Sequence, residues 1–215
     1  MKSAALALLA FALATNPASA EVRQMAADHF QLAFQGTITS PPAKVYASII
    51  HVAGWWNSEH TWSGKAENLS LEATAGGCFC ERWAHGSVEH GRVIMALKNQ
   101  TLRLHSALGP LQEYALAGVL NFHLNELEDA TTELLVDYRV NGSSASGLDQ
   151  LAAPVDQVLG MQLERLLRYI DTGDPEAPVV ESPEADPTRN EARVELIEEW
   201  AEEVARDIEP PSKKD

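Results

Sequence analysis

LAGVLNFHLNELEDATTELLVDYRV, residues 116–140, is followed closely by PVDQVLGMQLERLLRYI, residues 154–170. In the first stretch Leu116, Leu120, Phe122 and Leu124 share one face. After the Glu128-Asp129 turn, Leu134, Val136, Tyr138 and Val140 do the same. Asn121, His123, Asn125, Glu133, Asp137 and Arg139 fill the alternate positions, the pattern of antiparallel strands with one face in water and the other covered. The second stretch supplies the cover. Val155, Val158, Leu159, Gln162, Leu163, Leu166, Leu167 and Ile170 recur at helical spacing, which predicts an amphipathic helix about 26 Å long. Pro154 suits its first turn and Gly173 its C-terminal cap.

Upstream, Phe30, Leu32, Phe34 and Ile38 alternate with polar residues and predict a first strand. Ser40-Pro41-Pro42 opens a helix over 43–50, and 52–57 reads as a second short helical turn. Short strands follow: Leu69 to Ala73, Cys78 to Trp83, Val88 to Leu97, and one through Leu102, Leu104 and Leu108. Gly76-Gly77 fits a strand-to-strand turn with unusual backbone angles. The expected architecture is α+β: a strand, two short helices, about six strands, and one long helix gripped by an antiparallel sheet.

The chain has 215 residues, with 16 Lys and Arg against 31 Asp and Glu, and a net charge of −15. One globular domain with attachments fits that length, and the acidic balance excludes binding to a nucleic acid backbone. Lys2, an apolar run from Ala4 to Ala14 and Ala18-Ser19-Ala20 read as a cleavable secretory signal over 1–20, with the domain over 21–173. A periplasmic or secreted product is expected, with no membrane span after cleavage, because the apolar run is shorter than the roughly 20 residues a span needs. Residues 174–215 carry 14 acidic and five basic residues. Pro175, Pro178, Pro183 and Pro187 make 174–188 an extended linker. Over 189–215, Ile197, Trp200, Val204 and Ile208 form the apolar stripe of a C-terminal helix. That helix docks on its own domain, binds a protein partner, or lies on a lipid surface, although its acidic polar face disfavours anionic lipid.

The only cysteines are Cys78 and Cys80. On a regular strand they lie nearly 7 Å apart along the chain, so an internal disulfide requires a bulge or kink. Two small buried thiols, a redox-active pair and a soft-metal site are the alternatives.

Several segments together resemble the START-like, or SRPBCC, superfamily with its helix-grip fold, in an exported bacterial branch related to activators of the heat-shock-chaperone ATPase. These are Pro42-Ala43-Lys44-Val45-Tyr46, Trp55-Trp56, His60-Thr61-Trp62-Ser63-Gly64, Asn68-Leu69-Ser70-Leu71, Gly76-Gly77-Cys78-Phe79-Cys80-Glu81 and Gly109-Pro110-Leu111-Gln112. The resemblance covers roughly residues 28–173. It implies a curved sheet around a long C-terminal helix, and between them a cavity for a small hydrophobic or amphipathic ligand, with its mouth near the short helices. It implies no cofactor. Because one fold hosts many activities, a polyketide cyclase or dehydrase-like enzyme and a protein-interaction module stand beside the carrier.

Phe79, Glu81 and Trp83 alternate with Cys78, Cys80 and Arg82, so the strand puts an acid among aromatics on one face. Desolvation there should raise the Glu81 pKa and suit it to acid–base chemistry, with His60 or His90 as partner; the alternative is a solvent-facing Glu81 paired with Arg82 or Arg92. Trp55, Trp56, Trp62 and Trp83 either fill the core or rim the pocket, and Phe122 and Tyr138 face inward from the two clearest strands. The expected ligand wall is therefore Trp55, Trp56, His60, Trp62, Phe79, Glu81, Trp83, Phe122 and Tyr138. His60, His90, Cys78 and Cys80 lack a tight ligand motif, and no metal is assigned. Ser63 has no nucleophile-elbow context.

Overall fold

The computed structural model describes residues 21–178. The signal over 1–20, the linker beyond 178 and the helix over 189–215 lie outside the described residues.

Eight antiparallel strands form one sheet: β1 (Glu21–Ala26), β2 (His29–Ile38), β3 (Leu69–Leu71), β4 (Cys78–Trp83), β5 (Gly86–Leu97), β6 (Thr101–Ser106), β7 (Leu116–Glu126) and β8 (Thr132–Gly142). Their spatial order is β1-β2-β8-β7-β6-β5-β4-β3. After β2 the chain crosses to the far edge through helix α1 (Pro42–Ile50) and three 3₁₀ turns, then returns strand by strand until β8 pairs with β2. The 25-residue helix α2 (Leu148–Thr172) covers one face, giving an α+β helix-grip fold.

The alternation predicted for β2, β7 and β8 is present and sets the register. Phe30, Leu32 and Phe34 lie opposite Val140, Tyr138 and Val136, and Leu120, Phe122 and Leu124 opposite Tyr138, Val136 and Leu134. All these side chains are buried against Leu159, Leu163, Leu166 and Ile170 of α2 in one core. Each such Leu, Val or Phe contributes roughly 1.5–3 kcal/mol by leaving water, so the seam between sheet and helix dominates the stability.

Three expectations need correction. The sheet has an additional edge strand, β1, which pairs with β2. Helix α2 starts at Leu148, so Pro154 sits inside it and not in its first turn; at 1.5 Å per residue the helix is about 37 Å long. Leu148 and Ala152 extend its buried stripe, and the Leu148 N–H donates to the Ala27 carbonyl at 3.0 Å. Contacts made after folding thus carry the helix two turns beyond the local proline signal. Third, the strand expected to run through Leu108 ends at Ser106, and Leu108 lies in the loop that follows; beyond α2, Arg168 Nε donates to the Pro175 carbonyl at 2.8 Å, and Arg165 pairs with Glu176. Gly173 caps α2 with φ 80°, as its residue type suggests.

Cys78 and Cys80 form a disulfide, not a pair of thiols. The β4–β5 pairing slips between Phe79 and Cys80, as Phe79 faces Gly91 while Cys80 faces Glu89, so His90 is the extra residue of a bulge. Beside this irregularity the two Cα atoms are 5.3 Å apart, within disulfide range and well short of regular strand spacing. At the adjoining turn Gly76 has φ 85°, and a Cβ on Gly77 would overlap the Glu72 carbonyl oxygen.

Candidate functional site

A cavity of about 440 Å³ opens between the sheet and α2, near the short helical turns. Its walls are Trp56 and the segment from Glu59 to Trp62, the segment from Leu108 to Leu111 with Tyr114, and Leu151, Pro154, Val155, Val158, Leu159 and Gln162 of α2. Most of this lining is apolar. His90 is the sheet's titratable contribution, and Glu59 and His60 line the side formed by the turns.

The bulge in β5 places His90 on the inner face, where it is buried against the Phe79 ring with centroids 5.1 Å apart. Its Nε2 lies 3.1 Å from Glu81 Oε2. Glu81 is fully buried, and its carboxylate also accepts from the backbone N–H groups of Trp62 at 3.0 Å and Ser63 at 2.5 Å. Burial pushes the Glu81 pKa up, but the hydrogen bonds from Ser63, Trp62 and His90 outweigh it and hold the carboxyl below the usual value. The expectation of a raised pKa is therefore overturned: the site solvates the charged form with aimed donors. Arg82 bonds Ser70 and Arg92 pairs with Glu89, so neither pairs with Glu81.

Burial is also the main influence on His90 and pushes its pKa down, against the opposing pull of Glu81. An ionised carboxylate can only accept, so the neutral ring carries its proton on Nε2 and leaves Nδ1 as a bare acceptor. Among the described residues Nδ1 has no partner, and it is not one of the sealed unpartnered atoms; it belongs to a ring that lines the cavity.

Gln162 sits on the opposite wall. It is fully buried, and its Oε1 accepts from the Asn57 N–H at 2.9 Å, which fixes the amide's orientation. Its Nε2 is buried without a partner. Glu81 and Gln162 thereby anchor the same loop, Asn57 to Ser63, to the sheet on one side and to α2 on the other.

Of the residues anticipated as ligand wall, Trp56, His60 and Trp62 line the cavity; Trp62 is half exposed at 50%, and the Trp56 indole donates to the His60 carbonyl at 3.0 Å. Glu81 lies behind His90. Trp55 is core, its indole donating to the Ser48 carbonyl at 2.9 Å. Phe79 is core and touches Trp56 and His90, while Trp83 packs over Gly86. Phe122 is core. Tyr138 is core too, its hydroxyl donating to the Ser106 carbonyl at 3.1 Å and accepting from the Leu108 N–H at 3.3 Å; burial raises its pKa strongly. Glu81 is joined to His90 and not to His60. Cys78 and Cys80 are committed to their disulfide, so they do not join His60 and His90 in a soft-metal site. Among the described residues no group of three or more metal-ligating side chains gathers, and no helix is long and apolar enough to cross a membrane.

Sequence reasoning missed Gln162 as a site residue, although an amide inside an apolar stripe was a visible signal. It also missed the wall formed by Leu108 to Leu111, whose Gly-Pro pair marked a turn but not what the turn would face.

Fold and cavity together define a helix-grip protein with a half-open apolar pocket. No family model and no curated protein sequence matches the chain. Among solved structures, EF2215 of Enterococcus faecalis, a conserved protein of unknown function, aligns with TM-score 0.50 and 13% identity over 84% of this chain and 91% of that one. MLL2253 of Mesorhizobium loti aligns with TM-score 0.49 and 19% identity over 67% and 98%. CalU16 of Micromonospora echinospora aligns with TM-score 0.45 and 13% identity over 73% and 87%. The likeness is one of fold.

Proposed function

We propose that this chain is an exported carrier that holds a small, largely apolar molecule between the sheet and α2. The observation that carries the reading is the cavity of about 440 Å³, a size suited to a small-molecule site, with apolar walls and a few placed polar groups. The Cys78–Cys80 disulfide supports export, because such bonds persist in oxidising compartments. No cofactor enters this reading. The test is native mass spectrometry of the full chain purified from its own cells, beside Val158→Trp, which puts an indole into the cavity. A stoichiometric adduct on the wild type that is lost in the variant supports the carrier; identical unliganded spectra count against it.

The His90–Glu81 pair favours a second reading, an acid–base enzyme of the cyclase or dehydrase type. Nδ1 of His90 would take a proton from a bound substrate, and Glu81 would hold the ring and stabilise the imidazolium. Turnover of the retained molecule by wild type, lost in His90→Phe, would distinguish enzyme from carrier.

A further inference from the structure

We propose that the cavity selects an uncharged ligand whose apolar body bears a hydroxyl group, which donates to His90 Nδ1. This rests on the carrier reading and gives its ligand a chemical class.

One polar atom of the wall carries the inference and specifies a complementary group. His90 Nε2 is committed to Glu81 at 3.1 Å, so the ring presents a lone pair and asks for a donor. An ether, ester or ketone oxygen cannot supply one; a hydroxyl can. Gln162 makes no such demand: its Oε1 is occupied by the Asn57 N–H at 2.9 Å, and its Nε2 is sealed from the cavity, so the amide holds the loop and leaves the choice of ligand group to His90.

The same wall disfavours anions. Among the described residues lining the cavity none is Lys or Arg, while Glu59 lies on the lining and the Glu81 carboxylate sits behind His90. A fatty-acid carboxylate would enter with its charge unpaired and facing a lone pair, the arrangement that burial penalises most. A hydroxyl meets the His90 lone pair as a donor without bringing charge.

The test displaces Nile red, a neutral dye for apolar sites, from the full chain with 1-decanol, its isomer 1-methoxynonane, and decanoate at pH 8. The alcohol and the ether have the same atoms, but only the alcohol donates. A merely apolar pocket takes the less polar ether at least as well, whereas this site should bind the alcohol about tenfold more tightly, the worth of one well-made hydrogen bond. Decanoate should be the weakest of the three. In His90→Phe, which keeps a ring against Phe79, the preference for alcohol over ether should vanish. Equal or tighter binding of the ether to the wild type overturns the proposal while leaving the carrier standing, as does decanoate binding best. Absence of saturable Nile red binding overturns the carrier reading and this inference with it. The wild-type ratio decides the matter even if the His90 variant does not fold.

Discussion

Replacing Glu81 by Gln changes one atom of a buried side chain and should be among the most damaging substitutions in the protein. Oε2 accepts from the Trp62 N–H at 3.0 Å and from His90 Nε2 at 3.1 Å, and Oε1 accepts from the Ser63 N–H at 2.5 Å. A glutamine carbonyl can serve one of these sides. Its amide nitrogen then confronts an N–H donor on the other, so at least one charge-assisted bond, worth about 1.5–3 kcal/mol, is exchanged for a buried donor with no acceptor. We expect a loss of about 3 kcal/mol. With a guanidinium slope of about 4 kcal/mol per molar for a domain of this size, the unfolding midpoint should fall by about 0.8 M with the slope unchanged. The pH dependence carries a second signature. Because the folded-state pKa of Glu81 lies below its ordinary 4.5, its stabilisation is complete above that value and fades as pH falls through the lower folded value. Burial likewise depresses His90 below 6.5, so stability already begins to fall below pH 6.5 as protonation favours the unfolded chain. The glutamine variant should lose the Glu81 component and keep a loss beginning below pH 6.5. A midpoint within 0.2 M of wild type would refute the reasoning, since it would mean the carboxylate is not what holds the Trp62–Ser63 loop.

Joint replacement of Cys78 and Cys80 by alanine should cost only about 1.5 kcal/mol, since so short a loop restricts the unfolded chain little; calorimetry of the variant against wild type checks this. Tyr138→Phe removes the hydroxyl between the Ser106 carbonyl and the Leu108 N–H, and should destabilise by about 1–2 kcal/mol. Because Leu108 begins one cavity wall, that variant should also weaken Nile red binding, measured by titration. Gly77→Ala drives a Cβ into the Glu72 carbonyl and should cost about 3 kcal/mol in chemical unfolding, with no change in the ligand-facing residues.

Strands β2, β7 and β8 were legible because each has one sealed apolar face and one half-buried polar face, which stamps a two-residue period on the sequence; only Asn121, expected in water, is buried on the polar side of β7. Most of α2 was legible for the parallel reason of an apolar stripe. Its first two turns were not, because Pro154 carries a strong local start signal that packing of Leu148 and Ala152 overrides. At the site, an acid on an otherwise aromatic strand face singled out Glu81. What could not be read was the sign of its pKa shift, because its donors are backbone N–H groups of Trp62 and Ser63, which any residue type would supply. The bulge at His90 is equally silent in the sequence, yet it turns the histidine inward beside the strand that carries the disulfide.

The central claim is that the space between sheet and α2 is a binding site, and the most direct measurement is a Nile red titration of wild type and Val158→Trp side by side. One saturable site on the wild type, lost or weakened at least tenfold in a variant that unfolds at the same midpoint, is the predicted result. Equal dye binding by both proteins, or none by the wild type, would contradict it.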